Sequence, residues 1–224
     1  VRHVAYWLFK IVLSPIMFLL YRVRPKHRAA IPPKGGAILA ANHQAFCDSL
    51  FIPLVVIRRK VTFLAKAEYF DDPKMAWFFR AAGQIPIRRG GGSASERALA
   101  TALEVLDNGQ LIALYPEGTR SLDEYVHKGR TGVARMALRS GCPVVPVGLR
   151  GTTDVQPVGQ NWMRPFRRVS VVFGDPMYLL PGDIADAPSE QEALRDFTDR
   201  LMHTIAELSD RPYLDEYIPK KAKS

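Results

Sequence analysis

Hydrophobic positions along this chain fall into two rhythms. Short aliphatic runs occupy residues 37–41, 61–65, 84–87, 111–115, 144–149 and 169–173. They lack the polar alternation of a half-exposed strand, so they read as strands covered on both faces. Helical spacing fills the gaps. Residues 48–57 are apolar on most sides, and 73–82 start with proline at a first-turn position. Residues 93–107 open on Ser93-Ala94-Ser95-Glu96, a capping box. They set Leu99, Ala102, Leu103 and Leu106 on one face and stop before Gly109. Residues 129–139 and 189–209 complete the set. Alternation of this kind predicts an α/β fold, a single domain with a central, largely parallel sheet flanked by helices. Such sheets bind ligands beyond the carboxyl ends of their strands. His43, Arg89 and Glu117 each fall just past a predicted strand.

The first stretch breaks this rhythm. Residues 4–21 are nearly all apolar, and as a helix they would span about 27 Å at about 1.5 Å per residue. Lys10 and Pro15 spoil a clean bilayer span. His3, Lys10, Ser14 and Tyr21 fall along one line of the helical wheel, a narrow polar stripe on a greasy helix. That pattern suits an element lying in a lipid interface. No small-residue cleavage site follows, so it is a poor signal peptide. A helix packed on the body is the alternative. Residues 31–36 (Ile-Pro-Pro-Lys-Gly-Gly) read as a linker. We therefore divide the chain into an N-terminal membrane-associated helical segment, residues 1–28, and a domain over 29–224.

Charge sharpens this picture. The 224 residues carry a formal net charge of +9, yet residues 1–47 hold seven basic side chains and no acidic one. A basic arm on a nearly neutral body needs a polyanionic surface. Tyr6, Trp7, Phe9, Phe18 and Tyr21 favour lipid over nucleic acid, because aromatic rings settle at headgroup level. Aromatic nucleic-acid motifs and zinc-finger spacings are absent. The 24% charged share argues against a polytopic membrane protein. Two cysteines, Cys47 and Cys142, make no disulfide framework and no metal spacing.

Candidate chemistry sits at two turns. In Asn42-His43-Gln44-Ala45-Phe46-Cys47-Asp48, histidine and aspartate meet only if His43 lies in a strand-to-helix corner and Asp48 in the first helical turn. A carboxylate on one imidazole nitrogen leaves the other basic. The pair alone also suits a simple capped corner. Cys47 is a rival nucleophile, but the adjoining Asp48 discourages its thiolate, and packing is the better reading. No Gly-x-Ser-x-Gly elbow occurs. The second turn, Tyr115-Pro116-Glu117-Gly118-Thr119-Arg120, offers a carboxylate and a guanidinium. Glu117 and Arg120 either pair with one another or face an acceptor and its phosphate. Arg88 and Arg89, followed by three glycines, add forks that fit phosphate oxygens.

Four blocks in this order resemble the glycerophospholipid acyltransferase superfamily, specifically bacterial 1-acylglycerol-3-phosphate acyltransferases. They are Asn42-His43 with Asp48, the run from Gly83 to Arg89, Tyr115 to Arg120, and Val144-Val145-Pro146-Val147-Gly148. Lys66-Ala67-Glu68 with Phe70 and Lys128-Gly129 are also similar, and the resemblance covers about residues 30–175. It implies transfer of a fatty acyl group from acyl-CoA or acyl-carrier protein to a lysophospholipid hydroxyl, giving phosphatidic acid. His43 would be the general base and Asp48 its orienter. Lys66, Arg88, Arg89, Glu117, Gly118, Thr119 and Arg120 would form the substrate-binding set. No metal, no cofactor beyond the co-substrate and no acyl-enzyme are expected, and no nucleic acid is expected as a partner. The expected location is the cytoplasmic face of the cell membrane, peripheral or monotopic. Two positions depart from the family. Ala45 stands where serine is common, and Arg88 where aspartate is common. Deletion of residues 1–24 is expected to release the protein from membranes with its fold kept.

Overall fold

The computed structural model describes residues 2–73, 76, 77, 79, 84–87 and 93–219. An N-terminal helix, α1 (Arg2–Tyr21), leads into β1 (Arg24–Lys26), β2 (Ala37–Ala41), α2 (Asp48–Val55), β3 (Val61–Lys66) and β4 (Ile85–Ile87). Then come α3 (Ser93–Asp107), β5 (Leu111–Leu114), β6 (Val126–His127), α4 (Gly132–Ser140) and β7 (Val144–Arg150). The chain closes through α5 (Thr152–Val155), β8 (Ser170–Phe173), α6 (Pro181–Ala185), α7 (Glu190–Ser209) and β9 (Tyr213–Leu214). Arg88 and Arg89, and most of the helix expected over 73–82, lie outside the described residues.

Seven strands form one sheet in the order β1-β8-β7-β2-β5-β3-β4. Pairings are parallel except β7 with β8. The fold is thus α/β with a mostly parallel sheet between helices. The aliphatic runs become strands because both faces are covered. Ala37, Leu39 and Ala41 of β2 enter one core with α1 and α2. Ile38 and Ala40 enter the other, with α3, α4 and α7. Helix α7 presses close to β7. A Cβ on Gly148 would lie 2.2 Å from the Leu208 carbonyl carbon, so only glycine fits there. Ser189 caps α7 by accepting from the Glu192 amide at 3.2 Å, worth about 0.5–2 kcal/mol.

Three strands escaped the hydrophobic pattern. β1 is Arg-Pro-Lys, a sheet edge where proline costs no ladder bond. β6 and β9 are two-residue strands that pair with each other across 87 positions (126 to 213). Because β1 pairs with β8, residues 24–26 belong to the main sheet. The expected linker is also fixed in place. Ile31 packs on the core, and the Arg59 guanidinium donates to the Pro32 carbonyl at 2.6 Å.

Helix α1 packs on the body, and Lys10 and Tyr21 of its polar stripe turn inward. Lys10 is only 7% exposed and donates to the Val56 and Arg59 carbonyls, and burial pulls its amine down to about 8. Tyr6, Met17 and Tyr21 are buried beside it, and the Tyr6 hydroxyl accepts from the Val61 amide at 3.2 Å. Tyr6 and Tyr21 are therefore core residues and not interfacial anchors. The opposite face carries Leu8, Ile11, Val12, Ile16 and Leu19, all exposed. Deleting residues 1–24 would strip side chains from the core, so a retained fold is no longer expected. No helix among the described residues is long and apolar enough to cross a membrane.

Candidate active site

Strand β2 ends at a clamp. The Asn42 side chain donates to the Leu149 carbonyl at 3.1 Å and accepts from the Leu149 amide at 2.8 Å. It thereby continues the ladder to β7 by one side-chain rung and frees the next residue to turn. His43 occupies that turn, and α2 starts five residues later with Asp48 fully buried. One carboxylate oxygen of Asp48, Oδ2, gathers the corner. It accepts from the Gln44 amide at 2.7 Å, the Ala45 amide at 2.9 Å and His43 Nδ1 at 2.9 Å. A carboxylate only accepts, so Nδ1 carries the proton and Nε2 keeps its lone pair. The imidazole stacks on the Tyr115 ring, with centroids 3.8 Å apart and planes within 7°. The Tyr115 hydroxyl is bonded to the Ser49 hydroxyl at 2.9 Å, which fixes the platform. His43 is thus held on one edge and one face, and its side chain is still 17% exposed.

Cys47 faces away from this chemistry. It is buried, its amide donates to the Gln156 side chain at 2.9 Å, and burial followed by the Asp48 charge pushes its thiol up. It packs, as its neighbour's charge implied.

Strand β5 lies next to β2, so the turn after it meets the histidine corner. Glu117 is buried and points inward. Its Oε2 accepts from the His43 amide at 2.9 Å and its Oε1 from the His127 amide at 3.0 Å. Among the described residues Glu117 has no ion pair with Arg120, so the pairing across the turn is not formed. With each oxygen accepting from a main-chain amide, Glu117 ties the turn to the histidine corner. The Ser121 amide donates to the His43 carbonyl at 2.8 Å and ties the far end of the loop back. Gly118, at φ 78°, makes the turn possible and leaves Gly118, Thr119 and Arg120 exposed at its tip. Lys66 ends β3, at the same edge of the sheet. Its side chain, like Arg88 and Arg89, lies outside the described residues. The described residues contain no cluster of three histidine, cysteine or acidic groups suited to a metal.

Sequence reasoning missed Tyr115 as the stacking platform and His127 as the second anchor of Glu117. The first could have been found from an aromatic at the end of the strand preceding the second turn. The second acts through a backbone amide and leaves no mark in side-chain identity.

Burial pushes the Glu117 carboxyl up to about 7, against two amide bonds that favour its ionised form. The folded protein therefore keeps a proton where the unfolded chain has released it. Stability from this group is complete below its ordinary value of 4.5 and is lost as pH rises through about 7. We expect the melting temperature of the wild type to carry this downward component, and Glu117→Gln to remove it. Calorimetry across pH 4 to 8 checks the point, and identical slopes for the two proteins refute it.

Two hydrogen-bonded turns, one with a histidine and one with an arginine-tipped loop, thus meet at the carboxyl ends of adjacent parallel strands. The acyltransferase family model matches residues 22–150, and the chain belongs to this family. It is 25% identical over 184 residues to the chloroplastic 1-acyl-sn-glycerol-3-phosphate acyltransferase of Arabidopsis thaliana, covering 82% of this chain and 51% of that one. It is 31% identical over 159 residues to the lyso-ornithine lipid O-acyltransferase of Pseudomonas aeruginosa, covering 71% and 57%. The crystal structure of the 1-acyl-sn-glycerophosphate acyltransferase PlsC from Thermotoga maritima superposes with a TM-score of 0.67 at 27% identity, covering 94% of this chain and 80% of that one. The chain spans about half the length of the first curated relatives it matches.

Proposed function

We propose that this protein transfers a fatty acyl group from acyl-CoA or acyl-carrier protein to the free hydroxyl of 1-acylglycerol-3-phosphate, yielding phosphatidic acid. The observation that carries the reading is the bond from His43 Nδ1 to Asp48 Oδ2, which leaves Nε2 basic and accessible. Nε2 takes the proton of the acceptor hydroxyl as its oxygen attacks the thioester carbonyl. The C–S bond then breaks, and the imidazolium returns its proton to the departing thiolate. Asp48 holds the ring throughout. Lys66, Arg88, Arg89, Gly118, Thr119 and Arg120 bind the acceptor, with the arginines on its phosphate, and Glu117 fixes the loop that presents them. The protein works as a peripheral or monotopic enzyme at the cytoplasmic face of the cell membrane, with the outer face of α1 resting among lipids.

A second reading keeps the chemistry and changes the acceptor. Arg88 replaces the family's usual aspartate, and one relative is named for a lyso-ornithine lipid. Purified protein offered both donor types and several lysolipids, with products read by mass spectrometry, tests both readings. We expect phosphatidate to form fastest. Faster acylation of another lysolipid favours the second reading, and free fatty acid as the product overturns both.

A further inference from the structure

We propose that Arg130 is a further guanidinium of the acceptor-phosphate clamp, held over the second turn by Tyr217 of the C-terminal segment. The inference rests on the acyltransferase reading and adds to it a residue outside the four sequence blocks. Arg130 follows β6 and precedes α4, yet both its main chain and its side chain meet the second turn. Its amide donates to the Pro116 carbonyl at 2.8 Å. Its side chain fills the space that glycine leaves open, since a Cβ on Gly118 would lie 3.1 Å from Arg130 Nε and 3.3 Å from Cδ. Gly118 opens the exposed tip that ends in Arg120. The sequence therefore places two arginines at one loop, one within it and one laid across it.

The charge of Arg130 is left unspent. Neighbouring cations are neutralised: Arg195 by Asp199 at 2.5 Å and Lys128 by Asp215 at 2.9 Å. Among the described residues Arg130 meets no carboxylate. Its guanidinium carbon instead sits 5.4 Å from the centroid of the Tyr217 ring. An aromatic face orients a guanidinium without cancelling its charge or occupying its N–H donors. Tyr217 is itself fixed, because its hydroxyl accepts from Arg195 at 3.2 Å and the preceding Glu216 carbonyl accepts from the Lys128 amide at 3.1 Å. The result is an exposed, preoriented planar donor laid on the turn that carries Arg120, suited to the oxygens of a phosphate monoester.

Steady-state kinetics on the full chain, varying 1-acylglycerol-3-phosphate at saturating acyl donor, test the inference. Arg130→Gln is expected to raise the acceptor KM about tenfold, the scale of one lost charge-assisted hydrogen bond, with kcat changed less than about twofold. Tyr217→Leu is expected to raise the same KM by a smaller factor. Arg139→Gln removes an equal charge elsewhere and is expected to leave it alone. An acceptor KM unchanged in Arg130→Gln overturns the inference while leaving the acyltransferase reading intact. So does a rise confined to the KM for acyl-CoA, which carries phosphates of its own. A wild type that forms no acylated lipid overturns the reading and the inference together. Equal melting temperatures for wild type and Arg130→Gln show that the change is one of binding and not of folding.

Discussion

His43→Ala is expected to lower acyl transfer by about 10²- to 10⁴-fold, the usual worth of a positioned proton acceptor, while the protein stays folded. The geometry explains why the two effects separate. Removing the imidazole does not strand Asp48, whose Oδ2 still accepts from the Gln44 and Ala45 amides. The His43 amide, which the substitution keeps, still donates to Glu117. What disappears is the stack on Tyr115 and the basic Nε2. That stack costs about 1 kcal/mol on the scale of ring pairs, a shift of about 2–4 °C in a domain of this size. Phosphatidate formation and a melting curve on the same preparation check both halves. Retained activity sinks the general-base role. Collapse of the fold would instead make His43 a structural residue.

A double substitution on the outer face of α1, Ile11→Glu with Leu19→Glu, is expected to move the protein from membranes into solution with its melting temperature nearly unchanged. Both side chains are already exposed, 67% and 77%, so the core loses no contact. Each apolar side chain withdrawn from lipid forfeits about 1.5–3 kcal/mol, so the pair forfeits about 3–6 kcal/mol, or about 10²- to 10⁴-fold in partitioning. Co-sedimentation with vesicles containing anionic lipid measures the change. Unaltered sedimentation of the double variant would mean that the outer face of α1 does not hold the protein to the membrane.

The parts legible in the sequence share one property: their signals are local. Doubly covered strands announce themselves as aliphatic runs, and the six expected strands match β2, β3, β4, β5, β7 and β8 to within a residue at each end. The histidine corner was legible because His43 and Asp48 lie five positions apart and their meeting required one particular turn. The structural anchoring of Glu117 was not legible because its partners are main-chain amides of His43 and His127, which any residue there could supply. The wheel for α1 correctly separated two faces but could not say which faced the body. In water the polar stripe would turn outward. Here the greasy face does, and Lys10 finds carbonyls inside. Strands β1, β6 and β9 were illegible because only their distant partners make them strands.

The order of the sheet has a consequence for biosynthesis. β2 bonds to β5 and β7 and to neither of its neighbours along the chain. As the polypeptide leaves the ribosome, the strand bearing the histidine corner must wait for partners made about 74 and 107 residues later (Ala37 to Leu111, Asn42 to Leu149). Such long-range pairings form slowly. Until they close, Glu117 and Leu149 hold nothing, so a half-made chain has the histidine but no corner to hold it.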